Sequence, residues 1–424
     1  MTPGARRSTH LVVGLVAIVA AGGVVSQGSA AVAAEVACAP GTTMYVPDAP
    51  PALARLASEA AWRTATGAGV VVAVVDSGVD AGNAHLADAV LPGVDLVGAD
   101  GDPAGLTDTD GHGTAVAGQI AARAVPGSGV VGLAPEAMVL PVRVFVADDE
   151  QAVRDGVGPR ADRVAAGIRY AAEHGARVVN VSMSTTEDSP ELRSAVQDAT
   201  RAGALVVASV GNRAASGAAA GAAAGAADGL RYPAAYPEVL AVTAVDDADQ
   251  VAEGSVRGAH VGVAAPGANV LTTYHAAGDC MLAGDLASTS FATAYVSAAA
   301  ALLVERYPEE TPAQWRHRLE VTAARVHPGE RDDQMGWGLI RPDQALAFVD
   351  DGSAAGPVSP VHGRPPAASD AVEHVMVEVR ADPLATTRSV GAWWTLGGLT
   401  AVLLAVLAAR LGGTRRRQAK ASSS

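Results

Sequence analysis

Between residues 70 and 350 short, wholly apolar runs alternate with longer segments whose apolar positions recur at helical spacing. VVVAVVD (70–76) and MVLPVRVF (138–145) are too short for helices and lack polar alternation, which predicts strands buried on both faces. RVAAGIRYAAEHG (163–175) predicts a helix closed by a glycine, and RVVNVSMS (177–184) the next strand. Ser189-Pro190 place a cap and a first-turn proline at the head of a helix ending at Gly203, before the strand ALVVASVGN (204–212). VLAVTAVDD (239–247) and HVGVAAPG (260–267) continue the series, and STSFATAYVSAAAALL (288–303) reads as a buried helix. Thr311-Pro312 open a later helix, and MGWGLIRPDQAL (335–346) closes the domain. The alternation predicts an α/β fold of three layers, a largely parallel sheet with helices on both faces.

Three stretches break the pattern. Arg6 and Arg7 precede the apolar run LVVGLVAIVAAGGVV, and small residues around Ala31, Ala33 and Ala34 follow, the order of a signal peptide over 1–34. A twin-arginine signal is the alternative, although Ser8, Thr9 and His10 stand where apolar residues belong; a lipidated Cys38 is another, although Glu35 stands where Leu belongs. RAASGAAAGAAAGAADG (213–229) has nothing to pack and reads as a surface insertion. VGAWWTLGGLTAVLLAVLAA (390–409) carries no charge and is long enough for a hydrocarbon core of about 30 Å at about 1.5 Å per residue. Arg410, Arg415, Arg416, Arg417 and Lys420 follow it, predicting a transmembrane helix with a cytoplasmic tail over 410–424 and the rest of the chain outside. A buried core helix would need neither that basic run nor Trp393 and Trp394. Residues 35–69 then form an N-terminal extension, 70–350 the main domain and 351–389 a flexible spacer.

Of the 424 residues 49% are hydrophobic but only 4% aromatic, so Ala, Val and Leu must fill the core. The net charge is −14; without the two bases of the leader and five of the tail, 23 bases face 44 acids, about −21. Such an acidic domain excludes nucleic acid as a partner. Cys38 and Cys280 are the only cysteines, and in an oxidising compartment a lone pair is expected to bridge, stapling the N-terminal segment near Ser290; two free thiols are the alternative.

Functional groups in open α/β sheets gather at the carboxyl ends of strands. Asp76 ends a predicted strand in VVDSGVD, His112 sits in DTDGHGTAVAG, and Ser290 stands at the head of the 288–303 helix. Each has a plain reading: a strand-end turn residue, a surface histidine, a helix cap. Together, in the order Asp, His, Ser, they form the set a nucleophilic triad requires. On DSGVD, GHGTAVAG and STSFATAYVSA, over roughly 60–350, the chain resembles the subtilisin-like serine proteases. On GVVGLAPEAMVLPVRVF, YPAAYPEVLAVTAV, the N-terminal extension and the proline-containing spacer before a C-terminal span, it resembles in particular the mycosins, membrane-anchored proteases of type VII secretion systems.

The resemblance implies a subtilisin-like fold and a serine endopeptidase without cofactor. Ser290 would be its nucleophile, His112 its base, Asp76 the group orienting the imidazole, and Asn212 in SVGN the oxyanion donor beside the Ser290 backbone N–H. Asn212 as a simple turn residue is the other reading. Ser182, Met183 and Ser184 match the family's edge that pairs with an extended peptide. Expected partners are protein or peptide substrates, the membrane and a type VII secretion complex; a structural role in that complex is the competing expectation. Ser288 stands where the family pattern has glycine, and Ala294 and Ala298 where it has proline and glycine. No specific metal site is legible, and any calcium would come from the wider family alone.

Overall fold

The computed structural model describes residues 38, 41–98, 101–213, 228–363 and 390–407. The leader, most of the Gly/Ala insertion, the spacer from 364 and the basic tail lie outside them.

The apolar runs become the strands β1 (Val71–Asp76), β2 (Val94–Asp95), β3 (Met138–Arg143), β4 (Val178–Val181), β5 (Leu205–Ser209), β6 (Leu240–Val245) and β7 (Val263–Pro266). They form one parallel sheet in the order β2-β3-β1-β4-β5-β6-β7, with Val72 of β1 opposite Val139 and Val178. The strands of the sheet's middle are buried along almost their whole length, which is why they read as continuous Val and Ala. An antiparallel hairpin, β8 (Val270–Thr273) and β9 (Asp279–Leu282), lies apart.

The helices are α1 (Pro51–Arg55), α2 (Ser58–Trp62), α3 (His112–Ala121), α4 (Glu150–Arg154), α5 (Ala161–Glu173), α6 (Pro190–Arg201), α7 (Thr289–Arg306), α8 (Pro312–Thr322) and α9 (Pro342–Ala347). Apolar side chains of α5 and α6 pack on one face of the sheet, and those of α3, α7, α8 and α9 on the other. The fold is therefore α/β in three layers. Ser189 caps α6 by accepting the Leu192 N–H at 3.3 Å, and Thr311 and Gln314 close a capping box at α8. Helix α7 is buried from Thr289 to Val304, so it threads the core with no polar face. Ala294 and Ala298 are fully buried within it and keep the helix unbroken.

A disulfide joins Cys38 to Cys280. Met44 pairs with Gly278, and the Val46 N–H donates to Asp279 at 2.7 Å, so the N-terminal segment is strapped onto the hairpin. At the other end, residues 351–363 are hydrogen-bonded to the domain. Ser359 Oγ donates to Asp350 at 2.6 Å and Arg325 to the Ala355 carbonyl at 3.2 Å, fixing this stretch against the domain. Residues 390–407 form, by themselves, one 18-residue helix long and apolar enough to cross a membrane.

Candidate active site

The strand β1 ends on Asp76, α3 begins on His112, and Ser290 is the second residue of α7. Two glycines bring the first two together. Gly111 has φ +90°, and a Cβ there would stand 2.7 Å from the Tyr274 ring. A Cβ on Gly113 would run into the Gly78 carbonyl and stand 3.1 Å from Asp76 Cβ. The bare Gly113 lets α3 start against the end of β1, and the bare Gly111 lets its first turn lie against Tyr274 and His275.

His112 Nδ1 donates to Asp76 Oδ1 at 2.7 Å. The Ser290 hydroxyl lies 2.9 Å from His112 Nε2 and donates to it when the imidazole is neutral. Asp76 is fully buried; its Oδ1 also accepts the Ser77 N–H at 2.9 Å, while Oδ2 meets no partner among the described residues. The Phe291 ring stacks on His112 at 5.3 Å between centroids. Burial disfavours the imidazolium, but the Asp76 charge, the hydrogen bond to it, Asp110 and Asp108 outweigh that and push the His112 pKa up to about 9. Asp110 is itself raised to about 6, chiefly by burial, against the pull of His112 and with the push of Asp108, Asp76 and Asp148.

Ser290 does not cap its helix. The cap position belongs to Ser288, whose φ of −109° and ψ of 134° are ordinary extended backbone, so a side chain where the family carries glycine costs no strain. The Ser288 hydroxyl sits 2.8 Å from Ser290 Oγ and accepts from Asn212 Nδ2 at 3.3 Å. Asn212 Oδ1 in turn accepts the Thr289 N–H at 3.1 Å, which holds the amide so that its N–H₂ faces the serines. Buried hydroxyls and amides brace this corner, with Ser209 to Thr289 at 2.6 Å, Asn180 to Ser182 at 2.7 Å and Ser297 to Asn180 at 2.8 Å.

The three side chains open on a cleft of about 900 Å³. Ser182, Met183 and Ser184 line it after β4 has ended at Val181; they leave the sheet rather than extend it. Thus the structure brings Asp76, His112, Ser290, Asn212 and the 182–184 segment to one place, and Cys280 to Cys38. Sequence reasoning missed Arg231 and Asp110, which also line the cleft; an arginine directly before an apolar turn and a second carboxylate in DTDGHG were the available signals. Among the described residues no group of three or more His, Cys, Asp or Glu side chains is placed to hold a metal ion.

A model of the subtilase family, peptidase S8, matches residues 67–338. Fervidolysin of Fervidobacterium pennivorans is 34% identical over 305 residues, 67% of this chain but 42% of that protein, so less than half of its length is matched. Mycosin-1 of Mycobacterium tuberculosis is 36% identical over 338 residues, 70% of this chain and 73% of that protein. Among solved structures, the crystal structure of MycP1 from the ESX-1 type VII secretion system is similar with a TM-score of 0.62 and 30% identity, covering 76% of this chain and 91% of that one.

Proposed function

Because this chain belongs to the subtilase family of serine peptidases and is related to the mycosins of type VII secretion, we propose that it is a membrane-anchored endopeptidase acting through Asp76, His112 and Ser290. The observation that carries this reading is the unbroken contact from Asp76 Oδ1 through both His112 nitrogens to Ser290 Oγ, at 2.7 and 2.9 Å. Ser290 Oγ attacks the scissile carbonyl while His112 Nε2 takes its proton, and the same proton later goes to the leaving amine. Water then adds to the acyl-enzyme by the reverse transfer. Asp76 stays ionised, holding the imidazole's tautomer and balancing the imidazolium. The oxyanion takes Asn212 Nδ2 and the Ser290 N–H as donors, which requires the Ser288 hydroxyl to give up its present bond to Asn212. An extended peptide lies along 182–184 by backbone pairing.

In this reading 1–34 is a cleaved leader, 35–69 an extension, 70–350 the peptidase domain and 390–409 the anchor, with a catalytic domain outside the cell and a basic tail within. Its substrates are exported proteins of a type VII secretion system. The occupied Asn212 amide favours a second reading, in which the chain chiefly stabilises the secretion complex and cleaves slowly. A fluorophosphonate probe on the full-length chain in detergent micelles tests the first. Wild type should label and Ser290→Ala should not; a wild-type chain that stays unlabelled at alkaline pH removes the nucleophile.

A further inference from the structure

Arg231 lines the same cleft as Ser290, yet it is only 2% exposed, and its Nη1 and Nη2 meet no hydrogen-bond partner among the described residues. Burial alone acts on its ionisation, lowering its pKa, with no carboxylate contributing. A guanidinium stays charged and has five donors to satisfy, and burying it without a partner forfeits its hydration. A ligand that brings a carboxylate would supply what is missing.

The place of Arg231 decides which part of a ligand meets it. Residues 182–185 line the cleft together with Ser209, Gly211 and Asn212. Thr185 and Tyr232, which also line it, exchange backbone hydrogen bonds at 2.9 and 2.8 Å. Arg231 directly precedes Tyr232, and its Cγ comes to 3.8 Å from where a Cβ on Gly211 would stand, with the Ser184 hydroxyl nearer still. Gly211 adjoins Asn212. A carbonyl held between Ser290 Oγ and Asn212 Nδ2 therefore sends its own residue's side chain past Gly211 toward Arg231.

We propose that Arg231 selects an acidic residue, Glu or Asp, at the position whose carbonyl Ser290 attacks, pairing its carboxylate with Nη1 and Nη2. The inference rests on Ser290 being the nucleophile. A planar carboxylate matches the guanidinium fork bidentately. Leucine or phenylalanine there would shut the charge away from water unpaired, and lysine would oppose it with a second cation. The preference is confined to that one position, because Asp110, Asp148 and Glu187 line the same cleft and disfavour further acids in the substrate.

The test uses the full-length chain in detergent micelles and peptides that differ only at that residue, carrying Glu, Gln, Leu or Lys. The expected kcat/KM for Glu exceeds that for Gln by about 10- to 100-fold, the worth of hydrogen bonds to a charged group. Arg231→Gln, checked for an unchanged melting temperature, should lose that ratio, and Arg231→Lys should retain part of it. Cleavage after Gln or Leu at a rate equal to or above that after Glu overturns the proposal, as does a folded Arg231→Gln chain that keeps the Glu preference. Should Arg231→Gln not fold, the wild-type ratio and Arg231→Lys decide. Binding of the uncleaved peptides to Ser290→Ala separates this from the catalytic reading: tighter binding of the Glu peptide supports Arg231 even where no turnover occurs, and equal binding of the Glu and Gln peptides overturns it. Loss of fluorophosphonate labelling bears on Ser290 alone.

Discussion

As the proposed base, His112 is pulled in two directions, since it must be neutral to accept the Ser290 proton while its surroundings favour the imidazolium. Asp76 contributes to that pull and so does Asp110, which is ionised above its raised pKa of about 6. The kcat/KM should therefore climb as pH rises through about 9, and Asp110→Asn should move the acid limb to lower pH by removing one carboxylate. Rate profiles from about pH 6 to about pH 10 check this; a limb that stays put in Asp110→Asn would show that Asp110 does not act on the imidazole. Stability runs the other way. The folded pKa lies above the ordinary 6.5, so the protonated His112 contributes stability that is fully present below pH 6.5 and lost as pH rises through about 9. Asn212 makes a different prediction, because in the proposed mechanism its amide would leave Ser288 and donate to a charge that exists only in the transition state. Asn212→Ala should lower kcat by about 100- to 1,000-fold with little change in KM. Steady-state kinetics decide, and an unchanged kcat removes Asn212 from the oxyanion site. Asp76, His112, Ser290 and Asn212 were legible because the constraints around them are local: the glycines beside His112 and the small residues at the head of α7 are consecutive in sequence. Arg231 was not, since its burial follows from the pairing of Thr185 with Tyr232, two segments joined only in three dimensions.

The parallel strands announced themselves because burial on both faces leaves no room for polar alternation, and α6 and α8 because Ser189 and Thr311 cap them before a proline. The hairpin β8–β9 did not. Its sequence mixes Thr, His, Asp and Gly, and its partner is the N-terminal segment rather than the sheet. Asp279 holds that strap from the hairpin side: it is buried, accepts from the Val46 N–H at 2.7 Å and from Ser128 Oγ at 2.6 Å, and lies 2.8 Å from His85 Nε2. Asp279→Ala strands those donors and should cost about 3–5 kcal/mol. Opening the disulfide releases a loop spanning 242 residues, for which chain entropy sets a ceiling of about 5 kcal/mol. Since both hold the same segment, Cys38→Ser together with Asp279→Ala should destabilise by less than the two apart. Denaturant unfolding of the single and double variants measures the difference, and strict additivity would mean that the disulfide and Asp279 fasten separate things.

At the scale of the whole molecule, the peptidase unit and the uncharged helix at 390–407 pose the question of where the proposed contribution to secretion would reside. In the proposed mechanism proteolysis depends on Ser290 Oγ, and its removal deletes one polar atom beside Ser288 and His112 without emptying any part of the core. Assembly into a secretion complex, as proposed, would depend instead on surfaces and on the apolar helix, which Ser290→Ala leaves untouched. A chain related to proteases of a secretion system, carrying both a complete triad geometry and a helix long enough to span a membrane, is expected to use the two separately. In a deletion strain that no longer exports, Ser290→Ala should therefore restore export but not substrate processing, while a form ending before residue 390 should restore neither export nor full processing. Exported protein and its cleaved fraction are measured independently, with the abundance of each form checked in the membrane fraction. Restoration by Ser290→Ala places the export function in assembly; failure at normal abundance assigns it to proteolysis and leaves the helix as a tether that only keeps the enzyme near its substrate.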